Sequence, residues 1–360
     1  MRDIKVALIG MGAIAETTHL VYLKQHKNVT VSAIVDLDID RVKKIAEKNN
    51  IKHYFSTIDE MLNNINVDAV VICTPNYTHI PIAKKAAEHG IHVFIEKPIG
   101  TVLEEVEEYL KLAKEKNVIT MVGMTHRFRR DVSILKEYAD RNTFGTIYYI
   151  KATLCRRRDT PKGWFTNKEL AGGGAMMDTG VHVLDLAWWL MGKPKVTSIT
   201  GKTISGLGNY QTKHVSSWES QDKNLNSNHI FDVEDFGAAW IRFENGAVLS
   251  LEIAWAMNGE QDEGITIEVL GDKGGATLTP LSIYQEEEDT LVQSNPLFEK
   301  NDPFGDEINH FIHCVQTNSI PLIDGEQGYE VLKMLQGIYD SSEKQEEISF
   351  ENLRGNKIYA

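Results

Sequence analysis

Cysteine is scarce in this chain of 360 residues, which holds only Cys73, Cys155 and Cys314. Three thiols, odd in number and far apart, provide neither a disulfide framework nor metal-ligand spacing, so a reducing compartment is expected. Basic residues are also short, with 38 Lys plus Arg against 51 Asp plus Glu and a formal net charge of −13. Phosphate-rich partners need basic surface, which argues against nucleic acid or an anionic membrane as a partner. No apolar run approaches the roughly 20 residues of a membrane span. Met1-Arg2-Asp3 runs straight into an apolar strand, with no signal-peptide core or small-residue cleavage site, and the cytoplasm is the expected location. Internal repeats and low-complexity tracts are lacking too.

What is present suits two domains, because 360 residues exceed one ordinary core. Up to residue 122, short apolar runs alternate with amphipathic segments: Ile4–Ile9, Val29–Val35, Asp68–Ile72, Ile91–Ile95 and Val118–Val122 read as strands. Helices are expected at Ala13–Gln25, Asp38–Lys48, His79–His89 and Leu103–Lys116. Continuous apolar strands between helices mark a parallel sheet covered on both faces, the doubly wound Rossmann α/β pattern. After Gly123 the rhythm changes. Thr146–Leu154 alternates like an antiparallel strand, a helix runs from about Asp178 to Met191, and Val196–Thr279 is strand-like, with Asn245-Gly246 as a hairpin turn. Residues 204–231 read as a long polar loop, and helices are expected at Asp306–Thr317 and Gln327–Ser341. The expected division is a dinucleotide-binding domain at 1–122 and, at 123–360, an α+β domain with a large, mostly antiparallel sheet.

The first strand runs into Gly10-Met11-Gly12-Ala13-Ile14-Ala15. This is the G-x-G-x-x-G/A turn in its required place between strand and helix. Gly10 permits the tight turn, Gly12 lets the pyrophosphate approach, Ala15 lets the helix pack closely, and the helix N-terminus offers N–H groups. Asp36, at the end of the second strand, suits ribose hydroxyls and repels a 2′-phosphate, which favours NAD over NADP. Arg41, one turn into the next helix, pulls the other way.

Glu96-Lys97-Pro98 follows directly on an expected strand, so Lys97 stands at the ligand edge of the sheet. Between Ala171 and Met191 the only ionisable residues are Asp178, His182 and Asp185, spaced i, i+4, i+7. A helix places them on one stripe, and an otherwise apolar helix carries such a stripe when it is paired or functional. A structural network is the alternative, best suited to Asp185. The run Gly172-Gly173-Gly174 before it would let backbone and ligand come close.

These motifs, with Thr74-Pro75-Asn76, His79 and Arg127, resemble the glucose–fructose oxidoreductase/inositol dehydrogenase (Gfo/Idh/MocA) family over nearly the whole chain. The resemblance implies an NAD(P)-dependent oxidoreductase acting on a sugar, inositol or sugar derivative, with Lys97, Asp178 and His182 as the catalytic set. It implies cofactor contacts from Gly10, Gly12, Ala13, Ile14, Asp36, Arg41, Thr74, Pro75, Asn76, His79, Glu96 and Lys97. Arg127, Arg157 and Trp164 join the catalytic set as expected substrate contacts, each with a bland structural alternative. In that reading His182 takes the hydroxyl proton, Lys97 stabilises the alkoxide, and Asp178 orients His182 or binds a neighbouring hydroxyl. No metal is expected. Two rival activities stand beside it: a glycoside hydrolase that uses NAD transiently, and a non-enzymatic nucleotide-binding regulator, which would not need the proton-transfer residues. A homodimer or homotetramer is expected through the C-terminal sheet, where Ala247, Leu249, Leu251 and Ile253 suit a face that must be covered and Phe231–Phe236 a rim.

Overall fold

The computed structural model describes residues 2–207, 230–260 and 264–350. Most of the expected loop at 204–231 lies outside the described residues. Two sheets organise the described residues. In the first, β1 (Ile4–Ile9), β2 (Val29–Val35), β3 (His53–Phe55), β4 (Ala69–Ile72), β5 (His92–Glu96) and β6 (Thr120–Gly123) are all parallel, in the order β3-β2-β1-β4-β5-β6. This is the Rossmann order, whose direction of winding reverses between β1 and β4 and opens a crevice at the carboxyl ends of the strands. The strands are apolar on both faces because helices cover both; every residue of β4 is buried.

The second sheet has nine strands: β7 (Ile147–Cys155), β8 (Val196–Ile204), β9 (Phe236–Phe243), β10 (Val248–Ala254), β11 (Thr266–Gly271), β12 (Gly274–Leu278), β13 (Leu281–Glu287), β14 (Thr290–Ser294) and β15 (Ile348–Ser349). Their order is β14-β13-β12-β11-β7-β10-β9-β8-β15. Asn245-Gly246 turns β9 into β10, with Gly246 at φ +82°. The alternation of β7 is only half explained by antiparallel pairing: it is antiparallel to β11 but parallel to β10. One buried face is enough to give period-two alternation, whatever the partner's direction.

That buried face is closed from within the chain. Ala247, Leu249, Leu251 and Ile253 are at most 1% exposed and share one apolar core with Val183, Leu184 and Leu186 of the helix Val181–Leu190. They therefore need no second copy to cover them. In Phe231–Phe236, Val233, Glu234 and Asp235 are buried, which leaves only Phe231, Asp232 and Phe236 for a rim. The same core continues to one face of the six-stranded sheet, through Ile95, Ile99 and Val122. The opposite face of that sheet is covered late in the chain, by Ile308, Phe311 and Ile312 of the helix Pro303–Thr317. The helix Gly325–Lys344 packs on β8, on β6 and on the helix Leu103–Glu115, and so ties the two sheets together. Among the described residues, no helix is long and apolar enough to cross a membrane.

Two helices begin differently from their periodicity. Ala15–His19 and Met176–Gly180 are π-helical turns, each leading into regular helix. A π turn widens the spiral by one residue and commonly marks a functional site. One follows the glycine loop and the other carries Asp178.

Candidate active site

The glycine loop follows β1, Asp36 follows β2, Thr74-Pro75-Asn76 follows β4, Lys97 follows β5 and Thr125–Phe128 follows β6. Parallel pairing makes all of these carboxyl ends, so the five segments line one crevice. Gly10 stands at φ +87°, and a Cβ there would lie 2.7 Å from Thr74 Cγ2, so only glycine fits. A Cβ at Gly12 would meet nothing within 4 Å. Gly10 N–H donates to Val35 O and Met11 N–H to Asp36 Oδ2. The next three N–H groups, of Gly12, Ala13 and Ile14, make no hydrogen bond among the described residues. Open space facing three free donors at a helix start fits a pyrophosphate.

Asp36 is buried and accepts from Met11 N–H, Asp38 N–H and Arg41 Nη2, the last at 2.6 Å. Arg41 is thus latched to the acid expected to meet the ribose, and among the described residues its buried Nε has no partner. The other expected cofactor contacts divide. The ring nitrogens of His79 lie 2.8 Å from the carbonyl oxygens of Thr74 and Pro98, and the residue is 1% exposed. This corrects its expected role: with both nitrogens spent and no surface to offer, His79 ties two turns together beneath the crevice. Asn76 donates from Nδ2 to Ala171 O, joining the turn after β4 to the second domain. Glu96 faces His19, whose Nε2 lies 2.6 Å from Oε1, and accepts from Lys97 N–H. Burial pushes the Glu96 carboxyl up, but His19 and Lys97 outweigh it and hold Glu96 below the usual carboxylate range. His19, on the turn after the glycine loop, therefore braces the strand end that carries Lys97.

Lys97 Nζ donates at 2.8 Å both to Asp178 Oδ1 and to Asp178 O. Trp255, just past β10 and fully buried, donates from Nε1 to Asp178 Oδ2 at 3.1 Å. Both carboxylate oxygens of Asp178 are thus engaged, and neither reaches His182; the expected orientation of His182 by Asp178 is not what the structure has. Asp178 instead aims Lys97, which keeps one of its three N–H groups free. The side chains of Lys97 and Asp178 are 20% and 22% exposed, so the pair opens to the crevice.

His182 is half-buried, and its enclosed Nδ1 has no hydrogen-bond partner among the described residues. Burial first, then the charges of Lys97, His126 and Arg156, hold its imidazole well below the ordinary value. It is a neutral base at pH 7. The same charges place Lys97 and Arg156 within electrostatic reach of the ring. His126 packs against it, with centroids 4.8 Å apart and planes at 90°, and burial pushes His126 down to about 4.

The glycine run before Asp178 proves to serve packing. A Cβ on Gly174 would lie 1.9 Å from Glu234 O, and one on Gly173 would lie 2.1 Å from Tyr339 Oη. The close neighbours are protein atoms, not a ligand. Glu234 accepts from the N–H groups of Gly174 and Met176 and from Tyr339 Oη, fixing the start of the helix that carries the site.

Three expected substrate contacts stand elsewhere. Arg127 is a correction: it is 1% exposed, its Nε and Nη2 fork onto Asp185 at 2.7 and 2.6 Å, and Nη1 donates to Gln327. A guanidinium closed into the core has no face for a sugar. Arg157 donates to the carbonyls of Gly259 and Glu260. Its neighbour Arg156, paired with Asp159, is the arginine whose charge reaches His182. Trp164 stacks on Phe165 at 4.1 Å and makes no hydrogen bond or ring contact with Lys97, Asp178 or His182. The residues that sequence reasoning missed are His19, His126, Trp255 and Glu234. Each is remote in sequence from the residue it serves, and only the polarity of His126 beside Arg127 hinted at a role.

Comparison with known proteins identifies the family. The model of an oxidoreductase family with an NAD-binding Rossmann fold (Gfo/Idh/MocA) matches residues 4–124, and the model of that family's C-terminal alpha/beta domain matches residues 136–350. D-glucoside 3-dehydrogenase of Escherichia coli K12 is 30% identical over 349 residues, covering 94% of this chain and 95% of the relative. Myo-inositol 2-dehydrogenase of Thermotoga maritima is 25% identical over 98% of this chain and 100% of its own. Among solved structures, levoglucosan dehydrogenase in complex with NADH and L-sorbose superimposes with a TM-score of 0.82 at 22% identity, covering 97% of this chain and 99% of that one.

Proposed function

Because the chain belongs to the Gfo/Idh/MocA oxidoreductase family, with its NAD-binding Rossmann domain and C-terminal alpha/beta domain, we propose that it oxidises a secondary ring hydroxyl of a glucose-type glycoside. NAD, the cofactor of this NAD-dependent oxidoreductase, supplies the hydride acceptor when bound. The observation that carries the reading is the meeting of Lys97 and Asp178 at 2.8 Å beside the neutral His182, at the carboxyl ends of the Rossmann strands. The segment 1–122 holds the cofactor, and 123–360 supplies most of the substrate-side groups.

The roles follow from the bonds. The free N–H of Lys97 binds the substrate oxygen and stabilises the negative charge it gains. His182 accepts the hydroxyl proton at Nε2, the nitrogen that is not enclosed. Asp178 positions Lys97 and limits its motion. Gly12, Ala13 and Ile14 hold the pyrophosphate, and Asp36 holds the ribose. The choice of a glycoside over an inositol is supported by the 30% identity to a D-glucoside 3-dehydrogenase across nearly the full length of both chains.

The test is NADH formation at 340 nm with NAD and a matched panel of methyl glucosides, free hexoses and inositols. The reading expects the highest kcat/KM with a glucoside. Preference for an inositol, or no net NADH from any of the panel, would overturn it. The outer face of the nine-stranded sheet, where Tyr149 contacts Trp240 and Tyr284 is exposed, is our proposed face for self-association, read by sedimentation of the wild type and of Trp240→Glu.

A further inference from the structure

A catalytic imidazole is usually held in one orientation by a hydrogen bond at its second nitrogen. Among the described residues, His182 has no such bond. Its Nδ1 is buried and unpartnered, and the carboxylate of Asp178, one turn away, is spent on Lys97 and Trp255. Its ring packs against another ring. His126 stands edge to face against His182, with centroids 4.8 Å apart and planes perpendicular.

This contact is built from both sides. Thr125 Oγ1 donates to Glu307 Oε2 at 2.8 Å, inside the core. Arg127 forks onto Asp185, which lies three residues beyond His182 on the same helix. The residues before and after His126 are therefore both anchored, one of them to the helix that carries His182. Two adjacent contacts, His126 on His182 and Arg127 on Asp185, fix the turn after β6 in register with that helix. Neither imidazole carries a positive charge at neutral pH, so no charge repulsion opposes the packing.

We propose that His126 is a positioning residue for His182: its ring sets the plane of the His182 imidazole, in place of the missing hydrogen bond, so that Nε2 meets the substrate hydroxyl. The inference rests on the reading that His182 takes that proton. It makes the ring of His126 the working part, and its nitrogens dispensable.

Three variants test it: His126→Phe, which keeps an aromatic ring, and His126→Ala and His126→Asn, which remove it. Rates are taken with NAD and methyl β-D-glucopyranoside, and NAD affinity by fluorescence titration. His126→Phe should stay within about threefold of wild type. His126→Ala and His126→Asn should lose about tenfold to a hundredfold in kcat, with the glucoside KM and NAD affinity nearly unchanged, because misplacing a catalytic group acts on the chemical step. Equal losses in the Phe and Ala variants would make the imidazole itself the working group and overturn the proposal. So would an unimpaired Ala variant, or a kcat loss matched by lost NAD affinity. Should His126→Ala fail to fold, His126→Asn decides. A second readout is independent of substrate: in NAD-loaded protein, the His182 ring resonances should stay sharp in His126→Phe and broaden or shift in His126→Asn. A wild type inert to every glucoside would fail the substrate reading alone. The ring spectrum would then decide about His126, with unchanged His182 signals in His126→Asn overturning it.

Discussion

Replacing Arg127 by Met tests whether this residue belongs to the core or to the substrate. Its guanidinium is fully enclosed, forks onto Asp185, bonds Gln327 and lies 5.1 Å from the Trp189 ring centroid. Met fills most of the volume but strands the Asp185 carboxylate, itself 1% exposed, without a counter-charge. Breaking a buried pair from one side costs about 3–5 kcal/mol. Removing both charges in Arg127→Met/Asp185→Leu should recover most of that, since an apolar pair of similar volume is often neutral or better. The double variant should thus be about 3 kcal/mol more stable than Arg127→Met alone. The assay is urea unfolding followed by tryptophan fluorescence, comparing midpoints at constant slope. A single-variant cost below about 1 kcal/mol would refute the reasoning, because no buried charge would then have been stranded. So would a double variant no more stable than the single. A stable Arg127→Met protein with a raised KM would return Arg127 to the substrate.

Other predictions concern protons and the ribose. His126 and His182 are held neutral by burial, whereas both ionise near the ordinary value once unfolded. The unfolded chain therefore binds more protons as pH falls, and stability drops with it. For His126, between the ordinary 6.5 and about 4, the loss is about 3 kcal/mol, measurable by denaturant titration across that range. The acidic limb of the kcat/KM profile should accordingly fall well below pH 6.5, since His182 stays a free base there. A limb centred at 6.5 would contradict this assignment. Asp36→Ser removes the charge opposing a 2′-phosphate and frees Arg41 from its latch. The ratio of kcat/KM for NADP over NAD should rise at least about tenfold, as measured with both cofactors, and an unchanged ratio would show that Arg41 does not reach the phosphate.

Much of the cofactor half was legible in the sequence because its signals are local. A strand, a glycine turn and a helix sit within one short stretch, and Asp36 closes the next strand. The structural alternative for Asp185 describes its pairing with Arg127. What stayed hidden depends on residues far apart in the chain. Arg127 meets Asp185 across 58 positions, and Lys97 meets Asp178 across 81. No periodicity records such pairings. The π turn at Met176–Gly180 changes the phase of the stripe it begins, so Asp178 turns to Lys97 and Trp255 and leaves His182 to His126. The glycine run suggests room for a ligand, yet the crowding atoms are Glu234 O and Tyr339 Oη. A sequence shows that space is needed but not what occupies it.

The most direct test of the account is single-turnover hydride transfer, followed as NADH absorbance after mixing NAD-loaded protein with the best glucoside. Compared with wild type, His182→Ala and Lys97→Met should each slow this step by about 10²–10⁴-fold, and His182→Ala should bind NAD as tightly as before. A wild-type rate in either variant, or NAD affinity lost in parallel with the rate in His182→Ala, would contradict hydride chemistry at Lys97, Asp178 and His182.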